Sequence, residues 1–151
     1  MNRRLYWLVK WATMDPAVKT NMQQPLQPLR NALLDLHKAL VDSERVTYEQ
    51  TIGGIPSPGH FLNLLTRDPW FAWLHPLSQL IVAMDEALDG KEPLTAAGAE
   101  VLVEQTRRLL VASEEGDGFS KHYFDALQRD PDVVLAHAKA AKLFSPRRRA
   151  A

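Results

Sequence analysis

His37, Glu44 and Tyr48 come nearest in this sequence to a set of residues whose types and spacing could do chemistry. The histidine lies seven residues before the glutamate and the tyrosine four after it, so on a helix all three share a face. An imidazole, a carboxylate and a phenol meeting in an apolar cleft would make a small-molecule site. His75 and the nearby tryptophans Trp70 and Trp73 are the candidates to complete that ligand pocket. The plainer alternative is that the helix end emerges into solvent and Glu44 forms a surface ion pair.

Spacing excludes several other chemistries. Di-iron bundles need Glu-x-x-His on two helices, and no glutamate here is followed by histidine at that distance. His-x-x-x-His and His-x-x-x-Glu are also missing, which removes zincin and hemerythrin-type sites. Gly53-Gly54 fits no phosphate-cradling loop, and Asp117-Gly118 lacks the carboxylate ladder of a calcium loop. Ser57, between two prolines, is better explained as a helix cap than as a nucleophile. The chain has no cysteine, so disulfides, thiolate metal sites and a cysteine nucleophile go together. No catalytic residue is assigned and no cofactor is predicted. Haem or a metal ion stays open, since one axial histidine suffices for haem. His37, His75, His122 and His137 fall on or beside predicted inward faces, and His60 sits near a helix start. Asp125, three residues after His122, could orient that imidazole.

These residues must be carried by helices. Leu26, Leu29, Leu33, Leu36 and Leu40 alternate at spacings of three and four, which predicts a helix over residues 24–50. Glu44 stands where the next leucine would fall. Trp70 and Trp73 open the most apolar run, in which Phe71, Leu74, Leu77, Ile81, Met84 and Leu88 line one face. Asp68 is its N-cap, Pro69 its first helical residue and Gly90 its expected left-handed C-cap. Pro76 deletes the bond to the carbonyl of Ala72, so the central helix over residues 69–89 should kink there. Ser57-Pro58 opens a short helix that ends at Arg67. Thr95 caps a third long one, with Leu102, Leu109 and Leu110 inward and Glu104, Arg107 and Arg108 outward. A shorter helix carries Phe119, Tyr123, Ala126 and Leu127. Asp130-Pro131 opens the last, whose inner face is read as Val134, His137, Ala138, Ala141 and Phe144. No segment alternates apolar and polar residues as a strand would. The expected fold is an all-α, single-domain bundle of about five to six helices over residues 24–144.

The ends differ in character. Residues 1–23 are aromatic and basic, with Trp7 and Trp11 one turn apart and suited to an interface with the domain or a second subunit. A membrane surface is the other reading of residues 1–14. Residues 145–151 form a frayed basic tail. Acidic and basic residues balance at 18 each, which argues against a nucleic-acid partner. No apolar run is long enough to span a bilayer, and a cytoplasmic location is expected.

Asp-Ser-Glu-Arg-x-x-Tyr-Glu (Asp42 to Glu49), Asp-Pro-Trp-Phe-Ala-Trp-Leu (Asp68 to Leu74) and Leu-Gln-Arg-Asp-Pro-Asp-Val (Leu127 to Val133) resemble a group of small bacterial helical proteins of unassigned function. The resemblance covers most of the chain from about residue 24. It implies a bacterial cytosolic origin and transfers no catalytic residue. The sequence alone thus points to a non-enzymatic bundle that binds a protein partner or itself, on the strength of Trp7, Trp11, Trp70 and Trp73. The alternative is a small-molecule, haem or metal-binding bundle built on His37, Glu44, Tyr48 and His75.

Overall fold

The leucine stripe forms α1 (Leu26–Thr51), and Leu26, Leu29, Leu33, Leu36 and Leu40 are all fully buried along it. Each such side chain stabilises the fold by about 1.5–3 kcal/mol relative to exposure. The computed structural model describes residues 26–145 together with Val9 and Thr13. Trp7 and Trp11, and all but Ser145 of the basic tail, lie outside the described residues. After α1 come α2 (Pro58–Arg67), a 3-10 helix (Pro69–Leu74), α3 (His75–Asp89), α4 (Ala96–Leu109), α5 (Gly118–Arg129) and α6 (Pro131–Phe144). The described residues contain no strand, and residues 26–145 form an all-α bundle of six α-helices.

α1 packs most extensively on α6, then on α3, and also meets the 3-10 helix, α4 and α5. Ala136 and Ala140 face inward on α6, and such small side chains let its backbone approach α1 closely. The inner face of α6 is Val133, Ala136, Ala140 and Phe144, with His137 and Ala141 half-buried beside it. Phe144 is buried as expected, but Val134 and Ala138 are exposed, and Val133, Ala136 and Ala140 take the inner positions one residue earlier. Both stripes have helical spacing. The Asp130 cap, which accepts from the N–H of Asp132, sets where the helix starts, and its packing against α1 selects the face that carries Val133.

The segment from Pro69 to Asp89 changes helix type where Pro76 sits. An α-helix through this region would leave the carbonyl of Ala72 without a donor, because its partner would be the proline nitrogen. In the 3-10 arrangement the N–H of His75 donates to Ala72 instead, and Pro76 falls in the first turn of α3, where it is tolerated. Phe71, Leu74, Leu77, Ile81 and Met84 are buried as the spacing predicts. Gly90 is not the left-handed cap expected. Its backbone is extended, and glycine is required because a Cβ there would lie 2.5 Å from the carbonyl oxygen of Glu86.

Arg107 departs from its expected outward role. It is half-buried, and its Nε and Nη2 donate to the carbonyl of Phe144 at 3.0 and 2.6 Å, closing the end of α6 against α4. A cation at those last carbonyls also complements the helix dipole. Arg30 on α1 donates to Asp85 on α3 at 2.6 Å, a second tie between helices.

Candidate functional site

Glu44 remains inside the bundle, only 4% exposed, where the leucine stripe would place a sixth apolar side chain. The surface pair foreseen as the plainer alternative is therefore not what forms. A buried carboxylate is tolerated only when its oxygens are well hydrogen-bonded. Glu44 has three donors: Trp70 Nε1 reaches Oε2 at 3.0 Å, and Trp73 Nε1 and Arg129 Nη2 reach Oε1 at 3.2 and 3.1 Å. Arg129 Nε also donates to Ser43 Oγ at 3.0 Å, so its guanidinium grips two consecutive residues of α1.

The helix type explains why both indoles reach one carboxylate. In a 3-10 helix, residues three apart lie directly above one another. Trp70 and Trp73 have that spacing on the 3-10 helix, so their rings leave the backbone on the same side. The side chain of Asp68 starts the segment by accepting from the N–H of Trp70 at 2.8 Å. Trp73 is 8% exposed and Trp70 half-buried, so both are engaged in this cluster rather than free for the protein partner read from the four tryptophans.

Beside this cluster opens a cleft of about 320 Å³. Glu44 and Thr47 line it from α1, Pro69, Trp70 and Trp73 from the 3-10 helix, and His122, Asp125 and Arg129 from α5. The α5 residues are spaced by three and four and so share one face of that helix. His122 stacks on Trp73, with ring centroids 5.2 Å apart and planes 18° from parallel. Asp125 Oδ1 accepts from Lys121 at 3.1 Å. Every buried side-chain nitrogen and oxygen among the described residues has a hydrogen-bond partner.

Of the ligand residues read from the sequence, the structure brings Glu44, Trp70 and Trp73 together at the cleft. Tyr48 stands behind them, edge-on to Trp70 at 5.6 Å and tilted against Phe71 at 5.4 Å. His75 is turned elsewhere, its Nε2 lying 3.1 Å from the carbonyl of Leu65. His37 is half-buried and does not line the cleft, and burial lowers its pKa. Seven residues are about two helical turns, some 10 Å along the axis, which is too far for both side chains to reach one small cavity. Arg129 and Ser43 were missed, although the i, i+3, i+7 spacing of His122, Asp125 and Arg129 was legible.

A second polar pair joins α5 to α6. The hydroxyl of Tyr123, fully buried on α5, is 2.5 Å from His137 Nδ1 on α6. Burial pushes the phenol pKa far above its usual range and lowers that of the imidazole, so each is held neutral near pH 7. No group of three His, Asp or Glu side chains that could hold a metal ion occurs among the described residues. No helix among them is long and apolar enough to cross a membrane.

No protein-family model matches the chain, and neither curated proteins nor solved structures provide a match to it.

Proposed function

We propose that the protein binds a small amphipathic molecule in the cleft between α1, the 3-10 helix and α5. The observation that carries this reading is the fixed carboxylate of Glu44, which holds two indoles and a guanidinium in place beside an open cavity. Trp70 and Pro69 offer an apolar wall, while Arg129, Asp125, His122 and Thr47 offer polar groups at its rim. Polar groups converging beside an aromatic wall are a feature of ligand pockets. The ligand contacts come from three elements tied together through one buried residue, so the site is organised before anything binds. Such preorganisation lowers the entropic cost of binding.

Thermal unfolding with a panel of small amphipathic compounds tests the reading. A ligand that binds only the folded chain at a hundred times its Kd stabilises by about 2.7 kcal/mol. The expected result is a concentration-dependent rise in Tm that disappears in His122→Ala/Trp70→Phe protein. A panel that leaves Tm unmoved counts against the cleft.

A second reading, self-association or a protein partner, draws on a different surface. Val134, Leu135 and Leu143 stand exposed on α6. Light scattering of the full chain beside a Leu135→Glu variant checks it, and a monomer in both removes it.

A further inference from the structure

We propose that the ligand of the cleft is a free α-amino acid with an apolar side chain, its carboxylate held by Arg129 and its ammonium by Asp125. The proposal rests on the ligand-binding reading given above and names the class of ligand.

Asp125 and Arg129 are four residues apart on α5, the spacing at which opposite charges on a helix ordinarily pair. They do not pair with each other. Asp125 accepts from Lys121 through Oδ1 alone, at 3.1 Å, leaving Oδ2 without a donor among the described residues. Arg129 spends Nε on Ser43 and one Nη2 hydrogen on Glu44. A guanidinium carries five N–H donors, so both hydrogens of Nη1 and the second of Nη2 have no acceptor among the described residues. Two opposite charges, Asp125 paired with Lys121 and Arg129 with Glu44 but each with hydrogen-bonding capacity left, thus face one cleft about a helical turn apart.

That arrangement discriminates by charge. An anion seated on Arg129 would lie beside the Asp125 carboxylate, and a cation seated on Asp125 would lie beside the guanidinium. Either meets the opposite member of this pair as a like charge, a penalty that a ligand bearing both charges lessens. An α-amino acid presents ammonium and carboxylate on a single carbon, which suits groups whose Cβ atoms are about 5–6 Å apart. Its side chain would then lie along Trp70 and Pro69. Glu44 has its oxygens occupied by Trp70, Trp73 and Arg129, so it acts as a positioning residue and touches no ligand.

Titration calorimetry on the full chain tests this, with L-phenylalanine, L-leucine and L-tryptophan as probes. The controls are 2-phenylethylamine, which lacks the carboxylate, 3-phenylpropanoate, which lacks the ammonium, and glycine, which lacks the side chain. At least one of the three apolar amino acids should bind, and every control should bind at least tenfold more weakly. Asp125→Asn, a change at a part-exposed site that leaves the core untouched, should weaken the amino acid tenfold or more. The same variant should narrow the disadvantage of 3-phenylpropanoate. If a singly charged control binds as tightly as the amino acids, the ligand class is overturned while the cleft stands. The class also falls if all three amino acids are silent while another compound of the panel raises Tm through Trp70 and His122. If no compound of either set binds, both readings fall.

Discussion

Trp73 and Glu44, 29 positions apart in the chain, meet through an indole N–H that donates to a carboxylate oxygen at 3.2 Å in the interior of the bundle. The contact ties the 3-10 helix to α1, and Arg129 adds α5 to the same oxygen. Three elements therefore depend on one acidic side chain.

Removing that side chain should be costly. Glu44→Ala leaves the buried Trp73 N–H without an acceptor, worth about 1–3 kcal/mol, and adds a cavity. Glu44→Gln keeps the volume and one carbonyl acceptor but brings amide hydrogens toward existing donors, so it should also destabilise, by less than alanine. At this chain length each kcal/mol lowers Tm by about 2–4 °C. Urea unfolding of the two variants checks the order. A Glu44→Ala midpoint equal to wild type would show that the cluster contributes nothing to stability.

The Glu44–Arg129 pair should be energetically coupled. A double-mutant cycle with Glu44→Gln and Arg129→Met is expected to give about 0.5–3 kcal/mol of interaction. The Lys38–Asp42 pair on the same helix, with both side chains largely in water, should give little measurable coupling. Equal coupling in the two cycles would contradict the assignment of Glu44 to the interior.

Acid should weaken the fold before the carboxylates titrate. Burial lowers the pKa of His137 and of His37, so the folded state favours the neutral rings. Between those lowered values and the ordinary imidazole value of about 6.5, the unfolded chain binds more protons. Stability therefore rises with pH across that window, is complete above it, and is lost as the pH falls through the folded values. Urea midpoints should be lower at about pH 5.5 than at about pH 7.5, and His137→Phe should flatten part of the difference. A midpoint that is higher in acid would reverse the sign and refute it.

The phase of α6 can be tested directly. Ala140 is fully buried, so Ala140→Leu forces extra volume into the packed interior and should cost about 1–3 kcal/mol. Ala138 is exposed, so Ala138→Leu should be nearly neutral. Chemical denaturation of both variants decides the matter, and the reverse order would restore the face first read from the sequence.

The leucine helix was legible because five leucines at alternating spacings leave no other stripe to bury, and all five are indeed buried. Asp68-Pro69 and Asp130-Pro131 were legible for a local reason, since cap and first-turn proline act within a few residues. The phase of α6 was not, because an alanine-rich helix offers two neighbouring faces of similar apolarity. Glu44 was recognisable only as an anomaly in a stripe. Its partners are brought to it by tertiary structure, and the three contacts span 26 to 85 positions. Arg129 carries no periodic signature of burial, and a guanidinium at a helix end reads as solvated until its acceptor is known.

Pro76 is exposed and touches none of the groups around Glu44 directly, yet it governs how they are aimed. With alanine there, the backbone would be free to continue α3 backward through the tryptophans. Over three residues an α-helix turns about 300° where a 3-10 helix completes about 360°, so Trp73 would swing about 60° away from Trp70. The two rings would no longer stand directly above one another over their shared acceptor, and the wall of the cavity would lose its present alignment. A surface imino acid thus serves as the winding key of an interior it never enters.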